Sequence, residues 1–236
     1  MGLRKEFKRF KIKQERKRLV SQYSHNACET TFDWDWKQTH FNRIALVNML
    51  VAKVGGPDVS YLEIGCFGNA LFDSVFASNK TGVDPASGGT HRMTSDDFFE
   101  QNNEMFDVIF IDGLHEYEQV RRDTENSLKF LKPGGWIAYH DLMPRTWKEH
   151  HVPMLQDNWT GDCWKIAFDL VRSEDLDFRL AKIDHGVGVL RVQKAGAKVF
   201  GEPAAMTDKQ FDYFANNLAE LPIEEWDQVK GWIANS

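Results

Sequence analysis

The sequence predicts an α/β fold: a doubly wound, mostly parallel sheet with helices on both faces. Three observations predict it. Short apolar runs alternate with amphipathic stretches from residue 59 to about residue 140. The run 107–112 (D-V-I-F-I-D) is apolar almost throughout, as in a strand buried on both faces of a parallel sheet. Each strand–helix–strand unit is long enough for a right-handed crossover between parallel strands.

In chain order, residues 1–25 read as a basic helical extension. Between residues 3 and 20 stand nine Lys or Arg against Glu6 and Glu15, a local charge of +7 in a chain of net charge −6, which leaves −13 on the rest. Its thin apolar stripe (Leu3, Phe7, Phe10, Leu19, Val20) makes peripheral contact with an anionic membrane or a partner a candidate role. Residues 39–54 read as a helix with Phe41, Ile44, Ala45, Val47, Leu50 and Val51 at helical spacing, stopped by Gly55-Gly56-Pro57. A strand at 59–64 follows, then a helix at 70–78, strand 81–84, helix 95–103, strand 107–112, helix 116–131 and strand 135–140. Lys132-Pro133-Gly134-Gly135 ends the last helix.

Residues 142–161, rich in Trp, His and Pro, read as a long loop, with Trp147, His150, His151 and Trp159 as a candidate lid. A helix at about 162–173 precedes two β-like runs, 177–183 and 186–193, which Asp184-His185-Gly186 can turn into a hairpin. The tail from 207 reads as one or two polar helices. The expected organisation is thus an extension at 1–25, the α/β domain at 39–195 and a helical extension at 196–236.

Ligands of open α/β sheets sit beyond the carboxyl ends of the strands. Every chemistry-bearing motif falls at such an end: Glu63–Gly68 after the first strand, Asp84 after the second, Asp112 after the fourth and His140-Asp141 after the fifth. In E-I-G-C-F-G-N (63–69), Gly65 permits a tight turn through Cys66 and Phe67, and Gly68 or Asn69 can turn left-handed. The following helix start offers free N–H groups. Asp84, nineteen residues after Gly65, is placed to accept hydrogen bonds from ribose hydroxyls. A dinucleotide site needs G-x-G-x-x-G, but Phe67 holds the middle position and the third glycine is missing. An acid at 63 with no pyrophosphate cradle suits S-adenosylmethionine, whose ammonium is cationic, better than NAD. At the far end of the crevice stand Asp112, His115, His140 and Asp141. Methyl transfer needs an acceptor held in line and usually a base, for which His115 or His140 is suited.

Residues 82–99 (G-V-D-P-A-S-G-G-T-H-R-M-T-S-D-D-F-F), 106–123 (F-D-V-I-F-I-D-G-L-H-E-Y-E-Q-V-R-R-D) and 131–141 (L-K-P-G-G-W-I-A-Y-H-D) resemble the class I methyltransferases, and most of all methyltransferase family 24. W-T-G-D-C-W-K (159–165) and D-H-G-V-G-V-L (184–190) are similar to the same group, so the resemblance runs from about 60 to 192. It implies a Rossmann-like sheet of seven strands with the last antiparallel, and S-adenosylmethionine as cofactor. It implies that Glu63 and Gly65 hold the methionine moiety, Asp84 the ribose, and Ser95 and Asp96 the adenine. It also implies that Asp162 and Trp164 approach the substrate, although on their own Asp162 reads as a helix cap and Trp164 as inward packing. Asp112, His140 and Asp141 correspond to the ligand positions of the divalent-metal O-methyltransferases.

The expected function is therefore methylation of an oxygen on a small molecule or a sugar. A metal-dependent relative of the cephalosporin-hydroxylase type, or a non-catalytic scaffold using the basic N-terminus, are the alternatives. The acidic body and the lack of an N-P-P-Y motif argue against a nucleic-acid substrate. Three scattered cysteines imply neither disulfides nor zinc. With no apolar segment after the basic start and no run near the roughly 20 residues of a membrane span, the cytoplasm is the expected compartment. A homodimer is compatible with the sequence, which does not set the oligomeric state.

Overall fold

Seven strands line up in the order β2-β1-β3-β4-β6-β5-β7. They are β1 (Ser60–Ile64), β2 (Asn79–Val83), β3 (Phe106–Ile111), β4 (Leu131–Tyr139), β5 (Leu176–Ala181), β6 (Val187–Val192) and β7 (Ile223–Glu224). The computed structural model describes residues 2–236, with side chains from Lys5 onward, so Leu3 and Arg4 of the basic stripe lie outside the described side chains. Strands β1 to β4 pair in parallel, β6 is antiparallel to both β4 and β5, and β7 is parallel to β5. The one reversed strand is thus the second arm of the expected hairpin, followed at the far edge by the two-residue β7.

Among the described residues, ten α-helices surround the sheet: α1 (Gly2–Gln22), α2 (Arg43–Val54), α3 (Ala70–Ser74), α4 (Ser95–Gln101), α5 (Tyr117–Phe130), α6 (Trp147–His150), α7 (Lys165–Val171), α8 (Ala204–Thr207), α9 (Phe211–Asn216) and α10 (Trp226–Asn235). The chain alternation in β3 explains why it reads as uniformly apolar. Val108 and Phe110 face α2, α3 and α10, where Leu46, Leu50, Leu71, Phe72, Val229 and Ile233 pack. Ile109 and Ile111 face the opposite layer, with Phe98 and Phe99 of α4 and Phe168 of α7.

Several elements differ from expectation. Asp112 and His140-Asp141 follow the third and fourth strands of the chain, not the fourth and fifth. Where a further strand would lie, one parallel bridge joins Val83 to His91. Lys132–Gly135 does not terminate a helix: α5 ends at Phe130, and these residues are inside β4, where the register slips from Phe106↔Leu131 to Val108↔Trp136. The expected helix at 70–78 is the five-residue α3, and the loop 142–161 contains the single turn α6. The C-terminal tail is more than polar helix. Phe211, Phe214, Val229 and Ile233 are fully buried, and Leu180 and Lys182 of the β5 edge donate backbone hydrogen bonds to Pro222 and Glu224. The tail completes both core layers.

Helix α1 forms as expected, with Phe7 and Phe10 exposed and Leu19 and Val20 packed against the core. No helix among the described residues is long and apolar enough to cross a membrane.

Candidate active site

The carboxyl ends of β1 to β4 open onto one cavity of about 810 Å³. That volume suits a cofactor-sized ligand with room for part of a second molecule.

Its first wall is the turn after β1. Gly65 has φ +87°, and a Cβ built there would lie 2.0 Å from the backbone oxygen of Asp112. The β3 end passes so close that only glycine fits. The residues that turn left-handed next are Phe67 (φ 45°) and Asn69 (φ 62°), not Gly68. The Asp84 carboxylate brackets this turn, accepting from the backbone N–H of Phe67 at 2.8 Å and of Ala86 and Ser87 at 2.7 Å each. Burial raises the Asp84 pKa, but those three N–H groups and the Arg92 guanidinium outweigh it and hold the carboxyl below its ordinary value. Three of about four lone-pair sites are used, so one remains for a hydroxyl. Phe67 presents its ring to solvent at 82% exposure, on the rim of the cavity. Cys66 is buried, and burial keeps its thiol protonated.

Glu63 lies at the cavity floor, 2% exposed, and accepts a 2.6 Å hydrogen bond from the Tyr61 hydroxyl. Burial pushes its carboxyl up to about 7. Tyr61 opposes that shift, Asp112 adds to it, and Arg43 and Lys80 oppose it. Across the cavity, Gln119 of α5 ties the α4 start together, donating to Ser95 Oγ at 3.1 Å, Asp96 Oδ1 at 3.3 Å and Asp123 Oδ1 at 3.0 Å. Ser95, Asp96 and Gln119 all line the cavity.

The far end is a network of charges. His115 lies between two carboxylates, with Nε2 3.4 Å from Asp112 and Nδ1 3.3 Å from Asp141. His140 Nδ1 is 3.3 Å from each of the same two carboxylates, and its Nε2 is 3.5 Å from Asp184. Arg43, the first residue of α2, reaches Asp184 at 2.8 Å and Asp112 at 4.0 Å. Burial lowers the pKa of both imidazoles, but Asp112 and Asp141 override it and raise both above the ordinary histidine value. Burial raises Asp112, and His140 and His115 more than reverse it. The Trp159 ring stacks on His115 with centroids 5.2 Å apart, closing that end of the cavity.

The structure gathers Glu63, Gly65, Cys66, Phe67, Asp84, Ser95, Asp96, Asp112, His115, His140 and Asp141 around one cavity. Asp162 and Trp164 are elsewhere. Asp162 accepts from the Tyr117 backbone N–H at 2.7 Å, capping α5 rather than its own helix, and pairs with Lys165 at 2.8 Å. Trp164 is fully buried among Phe168, Tyr213 and Phe214. Of the proposed lid, Trp147, His150 and His151 are buried in the fold, and Trp159 alone reaches the cavity.

Among the described residues, the ligand atoms that all lie within 4.8 Å of one another belong to Asp112, His115 and Asp141, with His115 in the place expected for His140. Buried Nδ1 of His115 lacks a well-aligned hydrogen-bond partner. Two carboxylates and an imidazole are a donor set that a divalent ion accepts, so the residues fit a metal.

Arg43, Asp184 as a charged group, Gly161, Gln119 and Tyr61 also take part and were not singled out from sequence. The first two complete the charge network. A signal existed for Asp184, because a hairpin whose second strand alone is reversed must turn at the carboxyl edge of the sheet. Gly161 (φ 63°) packs against His115, and a Cβ there would lie 1.8 Å from the His115 carbonyl oxygen.

Residues 30–142 match the family model described as a methyltransferase domain. A comparison with curated proteins finds no match. Among solved structures, a putative O-methyltransferase from Klebsiella pneumoniae is similar at 13% identity and TM-score 0.49, covering 76% of this chain and 90% of that one. The O-methyltransferase from Bacillus cereus, in complex with SAH, is similar at 15% identity and TM-score 0.44, with the same two coverages. TomG, an O-methyltransferase from Streptomyces achromogenes in complex with SAM, is similar at 14% identity and TM-score 0.44, covering 64% and 80%. These likenesses are weak and extend to backbone architecture only. Residues 30–142, the segment that builds the strand-end crevice, thus match a methyltransferase domain.

Proposed function

We propose that the enzyme transfers the S-adenosylmethionine methyl group to an oxygen of a small-molecule acceptor, with His115 as general base. The observation that carries this reading is the placement of His115 between Asp112 and Asp141 at the end of the cofactor cavity, under Trp159. The methionine ammonium would lie at Glu63 and Gly65, the ribose at the remaining lone pair of Asp84, and the adenine beside Ser95, Asp96 and Gln119. The sulfonium methyl then points toward His115. The acceptor oxygen attacks the methyl carbon in line, the C–S electron pair returns to sulfur, and the hydroxyl proton passes to the imidazole. An oxygen acceptor, unlike most neutral amines, needs that proton removed as the bond forms. The acidic floor also complements a cofactor that carries both a sulfonium and an ammonium.

The test is S-adenosylhomocysteine formation across a panel of hydroxylated acceptors, with the product's methyl located by NMR. His115→Ala should abolish turnover while retaining cofactor affinity; full turnover in that variant would overturn the assignment.

A second reading is favoured by the unaligned Nδ1 of His115. Asp112, His115 and Asp141 would hold a divalent ion, which when bound supplies a Lewis acid that orients an acceptor oxygen. His140 and Arg43 then neutralise the surplus carboxylate charge. Calorimetric titration with magnesium and with manganese separates the readings: tight binding lost in Asp141→Asn supports the metal, and no binding removes it.

A further inference from the structure

A second cavity, of about 930 Å³, lies between α1 and the segment that follows α6. Its walls carry five cations, Arg9, Lys13, Arg16 and Lys17 from α1 and Lys148 from α6, against one acid, Asp157. The four residues of α1 stand at i, i+4, i+7 and i+8, one face of the helix. They span about 12 Å along its axis. Ile12, Val20 and Leu155 give the groove an apolar floor.

Two features separate this groove from an ordinary solvated basic face. First, the body of the protein is acidic, yet among the described residues Arg9, Lys13, Lys17 and Lys148 pair with no carboxylate. Arg16 alone reaches one, Asp157, at 2.5 Å. Charges left unpaired around a concavity cost self-repulsion that an anionic occupant would relieve. Second, the groove adjoins the active site. Asp157 lines both cavities, and Met154, which accepts a 3.3 Å hydrogen bond from Arg16 through its sulfur, lines the cofactor cavity. The two cavities are opposite in sign. Acids surround the place of the cationic cofactor, and cations surround its neighbour.

We propose that this groove binds the anionic end of the methyl acceptor, a soluble molecule carrying two or more phosphate or carboxylate groups on a carbon skeleton that rests on the apolar floor. Helix α1 is then an acceptor-recognition element. The inference rests on the reading of the neighbouring cavity as the methyl-transfer site, which it deepens by naming the substrate class. The concavity and the length of the charged row fit a compact polyanion, whereas a bilayer would meet α1 through Phe7 and Phe10, which lie outside the groove.

The test is calorimetry on the full chain, with and without S-adenosylhomocysteine, using pyrophosphate as the phosphate probe and trigalacturonate as the carboxylate probe. At least one should bind. Binding should weaken about tenfold in the double variant K13E/K17E, and again when salt rises from about 50 to about 300 mM. Affinity for S-adenosylhomocysteine should stay unchanged in the double variant, which also shows that it folds. Which probe binds identifies the anion. The proposal is overturned if neither probe binds, if the double variant binds as the parent does, or if these lysines are needed only for association with phosphatidylserine vesicles. Failure of S-adenosylhomocysteine to bind the parent chain would instead defeat the methyl-transfer reading, and the probe titrations would still judge the groove.

Discussion

The Tyr61 hydroxyl donates a 2.6 Å hydrogen bond to the Glu63 carboxylate at the floor of the strand-end cavity proposed to hold the cofactor. That bond favours the charged form of a carboxyl that burial has pushed up to about 7. A cofactor ammonium bound there needs Glu63 ionised, so below pH 7 binding must first release a proton. Cofactor affinity should therefore fall about tenfold per pH unit below 7 and level off above it. Tyr61→Phe should weaken affinity several-fold at pH 7 and little at pH 9. Calorimetry at pH 6, 7 and 9 checks both. A flat wild-type profile would show that Glu63 does not meet the ammonium.

His115 is the proposed base, and its two carboxylate neighbours raise its pKa. The neutral imidazole therefore accumulates only above the ordinary histidine range, and turnover should rise with pH there. Asp141→Asn removes one neighbour and should move that rise to lower pH. His115→Asn should reduce kcat by a factor of about 10² to 10⁴ without altering the cofactor Kd. A kcat profile for each variant decides.

Gly161 couples the segment carrying Trp159 to the base. Its left-handed φ and the 1.8 Å approach to the His115 carbonyl mean that Gly161→Ala must move backbone. The expected cost is about 2–4 kcal/mol of stability, with a loss of turnover larger than any loss of cofactor affinity. Urea unfolding and calorimetry measure the two effects separately. An unchanged unfolding midpoint would refute the coupling.

His150 is 2% exposed, and its Nδ1 accepts from the Trp164 indole at 3.3 Å. Burial, helped by Lys165 and His151, lowers its pKa to about 3. The unfolded chain takes up a proton near pH 6.5 that the folded chain refuses, so this site's stability is full above 6.5 and is lost as pH falls toward 3. Glu63, raised to about 7, contributes in the opposite direction between about 4.5 and 7. The histidine is therefore read by difference. Between pH 7.5 and pH 5, wild type should lose about 2 kcal/mol more than His150→Phe in urea unfolding. Equal losses would place His150 outside the buried cluster.

The amino-acid sequence by itself determined the alternation of strands and helices, because period-2 and period-3.6 apolar patterns are local. It likewise placed the candidate site at the strand ends, because Gly65, Asp84, Asp112 and His140-Asp141 each stop an apolar run. What it could not rank was which of these groups face one another. Arg43 is an ordinary first-turn residue until the start of α2 is packed over β3 and β4, and Asp184 is a turn former until β6 reverses. Asp162 and Trp164, read from a motif as substrate contacts, became a cap and a core residue because α7 packs inward between α5 and the C-terminal tail. The approach of Asp141 to His115, whose other partner Asp112 is only three residues away, and the basic groove beside them bring together segments distant in sequence. Only tertiary packing decided those, because charge networks depend on distances of 3–4 Å that no local pattern encodes.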